Sequence, residues 1–120
     1  MWVARSDSGR VVGFAQVDLV AGRPHLEEMD VHPDFGRRGI GARLLGAVRD
    51  WARAAGHEAV TLTTFRDVPW NAPFYRRAGF RGLAPHELGP ALRALVADEA
   101  ARGLDPATRV IMSLDVTGTE

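Results

Sequence analysis

Val31-His32-Pro33-Asp34-Phe35-Gly36-Arg37-Arg38-Gly39-Ile40-Gly41-Ala42 is the stretch on which the reading of this chain turns. An apolar segment enters it, three glycines punctuate it, and an amphipathic pattern leaves it. That order predicts a strand, a tight basic loop and the first turn of a helix. Glycine lets the backbone take positive φ and approach another molecule closely. The unbonded N–H groups of a helix's first turn, at the positive end of its dipole, form an anion site. Arg37 and Arg38 beside those groups point to a phosphate-bearing ligand. The competing reading is a tight strand-to-helix turn with solvated arginines.

Outward from the loop, the chain alternates strands and helices. Towards the N-terminus, Trp2 to Arg5 reads as a short strand and 7–10 as a turn. Val11 to Val20 reads as a strand, 21–24 as a second turn, and His25 to Val31 as the strand entering the loop. Downstream, Gly39 to Ala55 reads as a helix, with Ile40, Leu44, Leu45, Val48, Trp51, Ala52 and Ala55 on one face. Glu58 to Thr64 alternates as a strand, so the helix forms a right-handed crossover between parallel strands. Ala72 to Arg77 is a short helix with Asn71 at the N-cap position, and Phe80 to Leu83 a short strand. Pro90 to Arg102 reads as an amphipathic helix with Ala91, Leu92, Leu95, Val96 and Ala100 inward and Glu99 to Arg102 solvated. Arg109 to Val116 is the last strand, and 117–120 a flexible tail. The fold class expected is α/β: a mixed antiparallel and parallel central sheet flanked by helices, as one domain over residues 1–120.

Composition narrows the function classes. Fifteen basic residues balance fifteen acidic ones, so no global field favours nucleic acid or an anionic membrane. No apolar run approaches the ~20 residues of a membrane span, and the N-terminus lacks the apolar stretch of a secretion signal. Without cysteine there is no thiolate nucleophile and no Cys-based zinc site, and the four histidines form no metal-ligand spacing. A soluble, cytoplasmic, metal-free protein is the expectation.

The glycine order Gly36-x-x-Gly39-x-Gly41 departs from the dinucleotide fingerprint G-x-G-x-x-G, and no Lys-Ser/Thr pair follows as in a phosphate-binding P-loop. It resembles motif A of the GNAT N-acetyltransferase superfamily, Q/R-x-x-G-x-G/A after a strand ending Val-x-Pro. The opening Gln/Arg position is Gly36 here, a departure of small weight because backbone amides do most of the binding in such loops. A second segment, Trp70-Asn71-Ala72-Pro73-Phe74-Tyr75-Arg76-Arg77-Ala78-Gly79-Phe80, is similar to the motif of that family ending aromatic-Tyr-x-x-x-Gly-Phe. The resemblance covers about residues 11–83. It implies that the amides of Arg37, Arg38, Gly39, Ile40, Gly41 and Ala42 hold the pyrophosphate of acetyl-CoA and that Asn71 helps to hold the cofactor. It also implies that Met29 and Val31 offer backbone groups to the pantetheine arm and the acetyl carbonyl.

By the same resemblance, Tyr75 is the general acid for the departing thiolate, a role that suits a phenol of ordinary pKa ~10. A base is also required, because the acceptor amine is protonated at neutral pH. The strand before the loop carries His25, Glu27, Glu28 and Asp30. Plain alternation puts His25, Glu27, Met29 and Val31 on one face. The resemblance implies a Glu or His base on this strand, at positions like those of His25 and Glu27; Glu27 is the favoured base and Glu28 the second, since the strand often bulges in that family and a bulge shifts facing. Trp70 either packs or lines an acceptor pocket. The reaction expected is direct acetyl transfer from acetyl-CoA to a primary amine of a small molecule or peptide. Relatives begin with a further strand and two helices, so this chain reads as N-terminally shortened. The helix at 90–102 then either caps the acceptor site or forms a homodimer face. A non-catalytic CoA-binding or dimerisation module of the same fold is the alternative.

Overall fold

The computed structural model describes residues 1–36, 38–69 and 71–117. Arg37 of the expected anion loop, Trp70 of the expected acceptor pocket and positions 118–120 of the expected tail lie outside the described residues. Strand β1 (Trp2–Arg5) pairs with β2 (Val11–Val20), which pairs with β3 (Arg23–Val31), both antiparallel. The turn between β2 and β3 contracts to Ala21-Gly22, both at positive φ (52° and 78°), the backbone that lets a two-residue hairpin follow the strand twist. Helix α1 (Ile40–Ala54) crosses to β4 (Ala59–Phe65), and α2 (Ala72–Arg77) precedes the two-residue β5 (Arg81–Gly82). Helix α3 (Pro90–Ala101) leads to β6 (Arg109–Asp115), which inserts between β4 and β5. The six strands form one mixed sheet in the order β1-β2-β3-β4-β6-β5.

Alternation sends Val60, Leu62 and Thr64 of β4 to one face of the sheet and Thr61 and Thr63 to the other. The first face is the core. Val12, Leu26, Val60, Leu62, Val110 and Met112 pack there beneath Ile40, Leu44, Leu45, Val48 and Ala52 of α1 and Ala72 and Tyr75 of α2. Trp51 and Ala55, expected on the buried face of α1, are exposed; Trp51 instead meets Trp2 edge-on, ring centroids 5.4 Å apart.

The second face lies under α3, and here the structure corrects the helical-wheel expectation. No residue of α3 is fully buried: Ala91, Leu92, Leu95 and Val96 are half-buried and Ala100 is exposed. Glu99, expected in solvent, turns inward to the guanidinium of Arg109 at 3.5 Å, while Asp98 and Arg102 pair on the outside at 2.9 Å. The helix stands off the sheet over cavities of about 750 and 200 Å³, so its apolar side chains fill only part of the gap.

Between β3 and β4 the sheet is incomplete. Their parallel pairing consists of His25–Thr61 and Leu26–Leu62. One residue later, β3 bulges: its partner on β2 passes from Gln16 opposite Glu28 to Val17 opposite Leu26, leaving Glu27 as the extra residue. A bulge bends its strand and sharpens the twist. From that point β3 follows β2 to Val31 while β4 follows β6 to Phe65, and the two strands part. Leu62, 2% exposed, closes the last parallel pair on the core side. We expect Leu62→Ala to lose about 2–5 kcal/mol of stability, read as a lower urea midpoint at unchanged m-value.

Candidate active site

The loop that opens α1 carries amides that have no hydrogen-bond acceptor among the described residues. Pro33 starts a 3₁₀ turn capped by His32, whose Nδ1 accepts from the Asp34 N–H at 3.1 Å. Gly39, at φ +76°, turns the chain into the helix. The first helical bond runs from the Arg43 N–H to the Gly39 carbonyl at 3.0 Å, so the amides of Ile40, Gly41 and Ala42 precede the ladder and have no helical acceptor. The first turn holds no acidic side chain, and the Arg38 guanidinium lies 5.0 Å from the Phe35 ring centroid. The Ile40 side chain is itself core, so that position can contribute only its amide. A Cβ on Gly41 would stand 3.2 Å from the Phe74 ring and 3.7 Å from the Met29 methyl. Glycine here lets the helix start approach both α2 and β3, which form the second half of the site.

That second half is the notch left where β3 and β4 part, a cleft of about 220 Å³. Glu27, Glu28 and Met29 line it from β3, Thr64 from β4, and Asn71 and Tyr75 from the start of α2. The structure thus brings together Glu27, Glu28, Met29, Asn71 and Tyr75, which are far apart in sequence. The facing expected from plain alternation is corrected by the bulge. Leu26, Met29 and Val31 pack on the core side, and His25 lies on the opposite face, bonded through Nδ1 to Thr61 Oγ1 at 2.7 Å. Asp30 is exposed and outside the cleft lining.

Backbone groups also open into the notch. The His32 N–H donates to the Val12 carbonyl at 2.7 Å, so residue 32 turns its main chain towards β2. In an antiparallel ladder these directions alternate, which turns Asp30 to β2 and Val31 and Met29 to the side that β4 has vacated. Those amides and carbonyls are available to an extended ligand, and an N–H placed there can stabilise a developing oxyanion.

Asn71 stands at the N-cap of α2 but does not cap it with its side chain. Its Oδ1 accepts instead from the Thr64 hydroxyl at 2.9 Å, tying the helix start to β4, while its carbonyl accepts the Tyr75 N–H at 3.0 Å. Phe74 and Phe80 meet the Tyr75 ring edge-on at 5.2 and 5.6 Å. Burial raises the Tyr75 pKa, which keeps the phenol protonated and able to donate. Burial also raises the carboxyl pKa of Glu27, as do the neighbouring carboxylates of Asp18 and Glu99, against the opposing charge of Arg102. A stronger base and a retained acid therefore line one cleft. Thr63, Thr64 and Arg109 line it too, and none was singled out from sequence. The only sequence signal for Arg109 is a cation at the head of an apolar strand.

A GNAT acetyltransferase domain model matches residues 1–82. A mycothiol acetyltransferase of Nocardiopsis dassonvillei is 36% identical over 94 residues, 78% of this chain and 28% of that protein. The chain spans little more than a quarter of the length of the curated relatives it matches (27% and 28%). Among solved structures, nourseothricin acetyltransferase superposes with a TM-score of 0.69 at 27% identity, covering 95% of this chain and 63% of that one. N-acetylglutamate synthase from Neisseria gonorrhoeae, solved with coenzyme A and N-acetyl-glutamate, shares the fold with a TM-score of 0.75 at 21% identity, covering 97% of this chain and 25% of that one.

His25, 3% exposed, is held below the ordinary histidine pKa by burial, with Asp18 pulling the other way. Its neutral form is therefore favoured in the fold, and the unfolded chain takes up its proton first on acidification. The resulting stability is present above pH ~6.5 and is lost progressively as the pH falls from there through the lower folded-state value. Thermal unfolding should show a lower Tm at pH 5.5 than at 7.5, with a smaller difference in His25→Asn. An equal difference in the variant would refute the assignment.

Proposed function

This chain belongs to the GNAT acetyltransferase family, and we propose that it moves the acetyl group of acetyl-CoA directly to a primary amine. The observation that carries this reading is the single cleft shared by Glu27, Tyr75 and the exposed main chain of Met29, adjoining the amides at the start of α1 that have no acceptor among the described residues. The chain fits the cofactor's two demands: a helix start whose first turn holds no acidic side chain and an open strand edge for an extended arm. When bound, acetyl-CoA supplies an acetyl group on a thioester with a thiolate leaving group.

The amides of Ile40, Gly41 and Ala42, with Arg38, hold the pyrophosphate, and Asn71 keeps α2 against β4 beside the thiol end. Met29 and Val31 bind the arm through their main chain, and an N–H here steadies the negative charge that grows on the thioester oxygen. Glu27 takes a proton from the acceptor ammonium, and Glu28 is the alternate base on the same cleft wall. With acetyl-CoA bound, the amine nitrogen would bond to the carbonyl carbon as the C–S bond breaks, and Tyr75 would give its proton to the sulfur. The new amide nitrogen would shed its second proton, which restores the Tyr75 phenol through water, and Glu27 would release its own proton to solvent. The chain has no cysteine to carry an acetyl group between two half-reactions, which favours direct transfer.

Release of thiol from acetyl-CoA across an amine panel tests the reading. Tyr75→Phe should lower kcat by about 10²-fold or more with little change in the KM for acetyl-CoA, and Glu27→Gln should lower it by a similar factor. CoA should raise the Tm of both variants as it does the parent. A CoA-dependent Tm shift without turnover on any amine, unchanged in Tyr75→Phe, would instead mark a binding module.

A further inference from the structure

The side of the notch beneath α3 holds a cation whose hydrogen-bonding capacity is unused. The Arg109 side chain is 16% exposed. A guanidinium carries five N–H donors in a planar fork. Among the described residues Arg109 donates none of them in a hydrogen bond: it has the Glu99 carboxylate 3.5 Å from Nη2 and the Phe65 ring centroid 4.9 Å from its central carbon. Its Nε is cut off from solvent without a partner, and so is the hydroxyl oxygen of Thr63. Thr63 and Arg109 border both the 220 Å³ notch and the adjoining 200 Å³ cavity under α3.

Buried polar groups ordinarily find partners, and a buried charge needs hydrogen bonds as well as a counter-ion. Glu99 offsets the charge of Arg109 but leaves its terminal Nη groups without a hydrogen bond among the described residues, while a ligand reaches Nε and the Thr63 hydroxyl, both closed to solvent, only with a shift of the side chains over them. A planar carboxylate matches that fork two donors at a time, and a threonine hydroxyl can add a third bond. We infer that the acceptor is a small amino-carboxylate: its carboxylate docks on Arg109 and Thr63 while its amine faces Glu27. An acceptor with positive charge alone would satisfy the carboxylates of Glu27, Glu28 and Glu99 and leave the guanidinium fork unpartnered. This inference rests on the reading of the notch as the acetyl-transfer site.

Calorimetric titration of the CoA-saturated protein tests it, with glycine, β-alanine, 4-aminobutyrate and a set of L-amino acids, each beside its carboxamide. At least one acid should bind about tenfold or more tighter than its amide, as expected for a charge-assisted pair. Arg109→Gln should bring the two within about twofold, Arg109→Lys should keep part of the preference, and Thr63→Val should reduce it. The Tm shift with CoA reports folding of each variant; if Arg109→Gln fails that control, Thr63→Val and Arg109→Lys carry the test. Equal binding of acids and amides, no binding of any acid, or a full preference in the folded variants would overturn the inference. Acid-selective binding without transfer to any amine would refute the transferase reading alone, and transfer without acid preference would refute only the carboxylate site.

Discussion

One interruption in the hydrogen-bond ladder organises this molecule. Parallel pairing between β3 and β4 stops after Leu26–Leu62, and the bulge at Glu27 bends β3 away immediately beyond it. Main-chain groups that would have completed the sheet are left facing a cleft. A closed ladder would have satisfied them at the expense of any site. The same interruption sets the side chains: without the extra residue, plain alternation would seat Glu27 and Met29 on one face. With it, Met29 joins the core and Glu27 lies at the cleft wall within reach of the charges of Asp18 and Glu99.

The elements around the notch are held by packing rather than by ion pairs. Gly41 permits contact of the α1 start with Phe74 and Met29, so the glycine loop and the notch are fixed to each other. Thr64 and Asn71 fasten α2 to β4, and the edge-on contacts of Phe74 and Phe80 hold the Tyr75 ring. On the opposite face, α3 is held loosely. Its inward Glu99 and the half-buried Arg109 attract each other at 3.5 Å without a hydrogen bond between them. The half around α1 and α2 is therefore a packed core, and the half beneath α3 is polar and incompletely filled.

The expected elements were legible because their signals are local. Helical spacing from Ile40 to Ala52, alternation from Val60 to Leu62, and the glycines at 36–41 each report one face of one element. Element boundaries shift by one or two residues at half of the ends and match at the rest, and the mixed sheet follows from the strand-helix-strand order. The helix at 90–101 was the weakest reading. Its apolar residues recur at helical spacing, but spacing cannot say how closely a helix will approach the sheet beneath it.

The sequence by itself determined the glycine loop, the strand-helix order and the two motifs that join this chain to its family, because each depends on residues adjacent along the chain. Tertiary structure alone decided which strand residues meet Tyr75, since the extra residue at Glu27 is defined only by its partners on β2. It also decided the environment of Arg109. Whether a guanidinium is solvated, paired or left without hydrogen bonds depends on Thr63, Phe65 and Glu99, which are distant in sequence and meet only when α3 folds over the sheet. Local pattern specifies elements, whereas burial and unfilled hydrogen bonds are properties of the assembled layers.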